Sequence, residues 1–174
     1  MGRLWSSGRG LLRRLFVAVT AFSRRPQGPH LVTPSGVVGP IRLFESRSSV
    51  GRRLGERGTV VVQRPERGTT QDVVVTRVRY EDASLEITYL SSPKYPDGLA
   101  YLISTSDPRY RTRDGIGVGS TFRQVRSVDG VRCFNERGED YADCQVGLGH
   151  EHPLVVFDVR AGKVALVAAY GAAD

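Results

Sequence analysis

Two stretches of this chain, GPIRLFESRSSVGRRLG (39–55) and DGIGVGSTFRQVRSVDG (114–130), overlay with a shift of 75 residues. The shift places Ile41 on Ile116, Leu43 on Val118, Ser46 on Thr121, Val50 on Val125 and Gly55 on Gly130. Only three of the seventeen positions are identical, so identity alone decides nothing. The agreeing positions are those that a strand turning into a helix requires. Ser46 and Thr121 are residues that cap a helix start. Thr121-Phe-Arg-Gln124 has the capping-box spacing, in which hydroxyl and amide each satisfy a free backbone N–H. Val50 and Val125 provide a core contact, and Gly55 and Gly130 provide stops. Phe44 falls on Gly119 and Arg42 on Gly117, so the first copy departs from the second at its turn. A corner made twice constrains the chain to a repeated supersecondary unit.

The remaining pattern is rich in short strands. TVVVQR (59–64) and LAYLIST (99–105) are strands, and VVGPIRL (37–43) is a strand candidate. DVVVTRVRYEDASLEITYL (72–90) predicts a hairpin turning at Glu81–Ser84, with Leu85, Ile87 and Tyr89 alternating inward. SSPKYPDG (91–98) predicts a loop. VRCF and ADCQVG form a pair of short strands, and LVVFDVR and KVALVAA a closing hairpin through Ala161-Gly162. Helices are few and short. The fold class is α+β, mostly β, with a leader and linker at 1–36, a first unit at 37–112 and a second at 113–174.

The formal charge of +7 is unevenly placed. Residues 1–57 carry eleven Arg against Glu45 and Glu56, whereas residues 58–174 carry fourteen Arg or Lys against sixteen Asp or Glu. The folded body is therefore close to neutral, and net charge gives no argument for nucleic acid as a partner. In the leader, Arg3, Arg9, Arg13 and Arg14 precede the apolar run Leu15–Phe22, with small residues at Val19-x-Ala21. That is the order of a secretory signal; an organellar transit peptide or a basic tail are the alternatives. No stretch approaches the ~20 apolar residues of a membrane-spanning helix. Cys133 and Cys144 flank FNERGEDYAD, and a hairpin there would set the two thiols side by side as a disulfide, consistent with an oxidising compartment. Two buried free cysteines are the alternative.

Chemical sites are weakly supported. GIGVGST (115–121) resembles a phosphate-binding loop, but it lacks the Lys of a Walker loop and the spacing and long helix of a dinucleotide fingerprint. His150 and His152 alternate, which on a strand would aim both at one metal, yet Pro153 follows and no third ligand is evident. Glu136, Glu139, Asp140 and Asp143 do not keep calcium-loop spacing. PRYRTR (108–113) interleaves Arg109, Tyr110, Arg111 and Arg113, a pattern able to clamp a nucleic-acid backbone, but Asp107 and Asp114 answer the charge. No Ser nucleophile stands in an elbow. The expectation is no cofactor, no metal and no catalytic residue. The candidate surface site is Arg109, Tyr110, Arg111, His150 and His152.

TPSGVVGPIRLFESRSSVGRRLG (33–55) and RTRDGIGVGSTFRQVRSVDG (111–130) resemble a pattern of small exported bacterial proteins, many from actinobacteria. There, a strand ending in Gly-Ile/Val-x-x-Gly-x-Ser/Thr leads into a short helix stopping near Gly and then into antiparallel strands. The beta-lactamase inhibitory proteins carry two such units in tandem, and small lipoproteins of the outer-membrane assembly machinery carry one. Gly115, Ile116, Gly119, Ser120 or Thr121, Val125 and Gly130 match the pattern, and Phe44 departs from it. The resemblance implies that these residues are architectural and that the protein is a secreted or envelope module presenting a sheet face or loop to a protein partner, inhibitor-like and non-catalytic. The leader lacks the Cys that lipid anchoring needs. The alternative function is a small ligand-binding protein or hydrolase using the YRTR and GHEH loops.

Overall fold

The computed structural model describes residues 28, 30–55, 58–65, 72–134, 137–138, 140 together with 141–147, and 154–171. The basic leader, GHEH and, in the acidic hairpin tip, Asn135, Glu136 and Glu139 lie outside the described residues.

A small sheet begins the described chain. Strand β1 (Leu31–Thr33) pairs antiparallel with β2 (Val37–Val38), which pairs with β3 (Ile41–Arg42). The linker expected to run to residue 36 therefore ends earlier, since Val32 is fully buried and draws its segment into the sheet. VVGPIRL is likewise two short strands rather than one, broken at Gly39-Pro40, where Gly39 takes a φ of 59°. Helix α1 (Arg47–Leu54) follows, with the Ser46 hydroxyl accepting from the Ser49 N–H and Gly55 closing it at φ 73°. Its first turn holds no acid of its own.

Four antiparallel strands come next: β4 (Thr59–Pro65), β5 (Val74–Tyr80), β6 (Leu85–Ser92) and β7 (Tyr95–Thr105). The β5–β6 hairpin turns at 81–84 as its alternation predicts. SSPKYPDG is not a loop: β6 runs through Ser92 and β7 starts at Tyr95, leaving a two-residue turn. From β7 the chain passes through β8 (Arg111–Thr112), parallel to β1, into α2 (Phe122–Arg126), whose capping box is formed on both sides. α2 ends at Ser127, three residues before Gly130, which instead turns the chain at φ 75°. Strands β9 (Arg132–Phe134), β10 (Tyr141–Gly147), β11 (Leu154–Arg160) and β12 (Lys163–Tyr170) complete the fold.

The large sheet has eight strands in the order β4-β5-β6-β7-β12-β11-β10-β9, and the small one the order β3-β2-β1-β8. The last strand of each run meets at the centre, where β7 pairs antiparallel with β12 from Val167↔Thr105 to Tyr170↔Leu102. One face of the large sheet is the core: Val78, Tyr80, Ile87, Tyr89, Ile103, Phe157, Val159 and Val167 pack in one cluster with Val50 of α1, Phe122 and Val125 of α2, and Val32, Val38 and Ile41 of the small sheet. Within it the Tyr80 and Tyr89 hydroxyls share a 2.8 Å hydrogen bond, which satisfies polar tips that burial would otherwise leave unpaired. Burial and that bond raise the Tyr89 phenol far above its usual pKa. On the other face, the alternate residues of the strands are partly or fully exposed, apart from Ser104 and Ala168 at the centre.

Candidate functional site

In GIGVGST six of the seven backbone N–H groups, and that of Phe122 just beyond, are already used. Gly115 N donates to Thr112 O, Ile116 N to Thr112 Oγ1, Gly117 N to Ser120 Oγ, Gly119 N to Val164 O and Ser120 N to Gly117 O. Thr121 N donates to Gln124 Oε1 and Phe122 N to Gly162 O. A phosphate cradle needs N–H groups that point outward and unpaired, and these seven are committed to the fold. Gly115 and Gly119 sit at φ 80° and 86°. Gly117 has ordinary φ but no room, because a Cβ there would collide with the Tyr110 carbonyl oxygen. The stretch is a strand-to-helix corner, and the architectural reading of Gly115, Gly119, Ser120 and Thr121 is the one its hydrogen bonds support.

The YRTR residues do not form one surface. Tyr110 is buried, its hydroxyl donating to Ala83 O at 2.8 Å and its ring 4.8 Å from that of His30. Burial, then the nearby Asp107 charge, raises its phenol pKa. Arg111 turns inward and donates from Nη1 to Gly115 O at 2.9 Å, with Val118 O at 3.5 Å from Nη2. Arg109 and Arg113 are exposed, and Arg109 is held by Asp107 through Nε at 2.8 Å and Nη2 at 2.6 Å. Those charge-assisted bonds from Arg109, working against some burial, hold the Asp107 carboxyl down to about 2. Arg109, Tyr110 and Arg111 are thus a surface ion pair, a core residue and a loop brace. His150 and His152 lie outside the described residues, so their convergence with Arg109 or Arg111 has no geometry to support it. Among the described residues no group of three or more His, Cys, Asp or Glu side chains is placed to hold a metal.

Cys133 and Cys144 are directly opposite in the β9–β10 register and form a disulfide, tying a three-residue edge strand to its neighbour. Among the described residues, no helix is long and apolar enough to cross a membrane.

The open face of the large sheet carries aromatic, aliphatic and charged side chains together, and no sequence motif marks it. At its centre, Leu102 of β7 is opposite Tyr170 of β12, which is opposite Leu154 of β11. Tyr101 is near Tyr170, Val156 is opposite the buried Ala168, and Leu166, four residues along β12 from Tyr170, is opposite Asp158. Tyr170 is 36% exposed, and its phenol pKa is raised by burial first and then by Tyr101, Asp143 and Asp158. On one flank Glu86 lies between two guanidinia, Arg77 at 3.4 Å and Arg79 at 3.3 Å. On the other flank Asp143 and Asp158 are directly opposite each other on β10 and β11. Like charges so placed repel, and Arg160 answers Asp158 with contacts of 2.8 and 3.0 Å while its guanidinium lies 4.1 Å over the Tyr141 ring. Phe134, opposite Asp143, is 47% exposed. An open depression of about 400 Å³ lies on this face between Arg79, Glu86, Ser104 and Leu166. Alternation within each strand marks these residues as outward, but their adjacency arises from the β7–β12 pairing, for which the chain carries no local signal.

No protein-family model and no curated protein matches the chain. Among solved structures it is similar to the uncharacterized protein yfeY from Escherichia coli, with 15% sequence identity, a TM-score of 0.48, and coverage of 78% of this chain and 97% of that one.

Proposed function

We propose that this protein is a non-catalytic binding module of the cell exterior, inhibitor-like in character, that engages a protein partner through the open face of its eight-stranded sheet. The observation that carries the proposal is that face itself: aromatic and aliphatic side chains at its centre, charged residues on both flanks and, among the described residues, no helix laid over it. An apolar centre within a polar rim is the make-up of a protein-binding surface. The commitment of the glycine-loop N–H groups and of Tyr110 and Arg111 to the fold favours this reading over a nucleotide or nucleic-acid one. The Cys133–Cys144 disulfide is compatible with an oxidising environment and so with export.

We further infer that the body is two helix-plus-sheet units in tandem, dividing near residue 112. Three features support this. Each helix is followed by a four-strand meander, α1 by β4–β7 and α2 by β9–β12. The two corners dock alike: Phe44 N donates to Ala100 O and Ala100 N to Glu45 O, as Gly119 N does to Val164 O and Val164 N to Ser120 O. Ser46 then bridges Leu99 as Thr121 bridges Lys163. The registers also slip at equivalent points, between Thr88 and Tyr89 and between Asp158 and Val159.

The binding reading is tested by placing a photoreactive phenylalanine analogue at Tyr170 or, as a control, at the exposed Tyr95, and irradiating in extract of the source cells. A discrete protein adduct from position 170 and none from position 95 is the expected result. The absence of any adduct at 170 refutes a partner on this face.

A further inference from the structure

Charge is sorted by the fold in a way that composition conceals. Residues 58–174 hold fourteen basic against sixteen acidic side chains. Yet the strand residues that alternate onto the open face include Arg64, Arg77, Arg79, Arg132, Arg160 and Lys163 against only Glu86, Asp143 and Asp158. Two further described carboxylates turn away from it: Asp97 turns to α1, where it accepts from the Ser48 N–H at 2.9 Å, and Asp107 is held by Arg109. Two of the three acids on the open face have ion pairs of their own, Glu86 with Arg77 and Arg79, and Asp158 with Arg160. Arg64 on β4, Arg132 on β9 and Lys163 at the start of β12 have no ion pair among the described residues, and all three are exposed. Among the described residues, the unmatched charge on this face is therefore positive and sits on both margins of the apolar centre.

We infer that the face takes an acidic protein surface, in which an aromatic or aliphatic protrusion seats on Leu102, Leu154, Leu166 and Tyr170 while carboxylates on either side meet Arg64, Arg132 and Lys163. This rests on the binding reading above and adds the chemistry of the partner. The margins speed encounter and set orientation, and the centre provides the desolvated anchor. A bare polyanion would satisfy the margins and leave the centre exposed.

The test uses the full chain and a random copolymer of glutamate and tyrosine, followed by backbone amide shifts and by affinity. The expected result is saturable binding with shifts on β7, β11 and β12, and about tenfold weakening in the double variant Arg132→Glu, Lys163→Glu. Tyr170→Ala should weaken binding several-fold, and polyglutamate without tyrosine should bind less well than the copolymer. Three results would overturn the inference: shifts confined to the N-terminal arginines, unchanged affinity in the double variant, or equal binding of copolymer, polyglutamate and heparin with no effect of Tyr170→Ala. Circular dichroism of the variants, all at exposed positions, excludes misfolding as the cause of any loss. The two readings fail separately. A photo-adduct at 170 that survives the charge reversals keeps the binding module and removes the acidic partner, whereas copolymer binding without an adduct keeps the charge chemistry and removes the module.

Discussion

Phe44 occupies the left-handed region at φ 66°, where a bulky side chain costs on the order of 1–2 kcal/mol. Its counterpart at the second corner, Gly119, takes φ 86° without that cost. Two contacts hold Phe44 there. Its N–H donates to Ala100 O at 2.7 Å, and its ring lies so close over Gly171 that a Cβ on that glycine would meet Cζ at 2.6 Å. The departure from glycine thus leaves the backbone shape of the first corner intact and shifts the burden to packing. Within the second corner the glycines act by different physics, and substitution separates them. A Cβ on Gly119 finds open space, so Gly119→Ala should cost only the backbone term, about 1–2 kcal/mol of unfolding free energy. A Cβ on Gly117 meets the Tyr110 carbonyl and, at 2.8 Å, Arg111 Cγ, so Gly117→Ala should cost more, about 3 kcal/mol. Urea unfolding of the two variants measures the order; the reverse order contradicts the assignment.

At the scale of elements, local signals located both helix starts, and distant residues complete them. The Thr121 capping box lies wholly within four residues and was legible in the sequence. The first turn of α1 has no acid, and the carboxylate that serves it is Asp97, 49 residues away from Ser48 on β7. That spacing has no periodicity to betray it. Burial works against the Asp97 charge, but the Ser48 backbone and the Ser48 and Ser46 hydroxyls hold its pKa below the ordinary value. Strand β9 is the element most dependent on a single bond, being three residues long, at the sheet edge, and tied to β10 by Cys133–Cys144. Replacing both cysteines by alanine should lower stability by about 2–3 kcal/mol and speed amide exchange in β9 ahead of β10. Alkylation of native protein without reductant should leave both thiols unmodified by mass; two alkylated thiols refute the bond.

At the scale of the molecule, the β7–β12 pairing makes one sheet of two meanders, and it predicts one cooperative unfolding transition. Ile103 is fully buried at that seam, opposite Ile87 on one side and Ala169 on the other. Ile103→Ala should cost about 3 kcal/mol, and hydrogen exchange should then rise together in β5–β6 and β10–β11. Two separate transitions would mean that the meanders fold independently.

By itself the sequence determined the hairpins at 72–90 and 154–170, the caps at Ser46 and Thr121, the facing cysteines and the mostly β character, because alternation, capping and tight turns act between residues close along the chain. It misplaced the linker boundary, since one buried side chain, Val32, decided that Leu31–Thr33 is a strand. It also gathered Arg109, Tyr110 and Arg111 into one loop surface, although Tyr110 points to the core and Arg111 braces the glycine corner. Only the tertiary structure decided that β7 and β12 are neighbours, and with that which outward residues share a face. Strand order is settled by burial summed over the whole sheet rather than by any local preference. The open face, with its apolar centre and cationic margins, therefore belongs to the fold and to no segment of the chain alone.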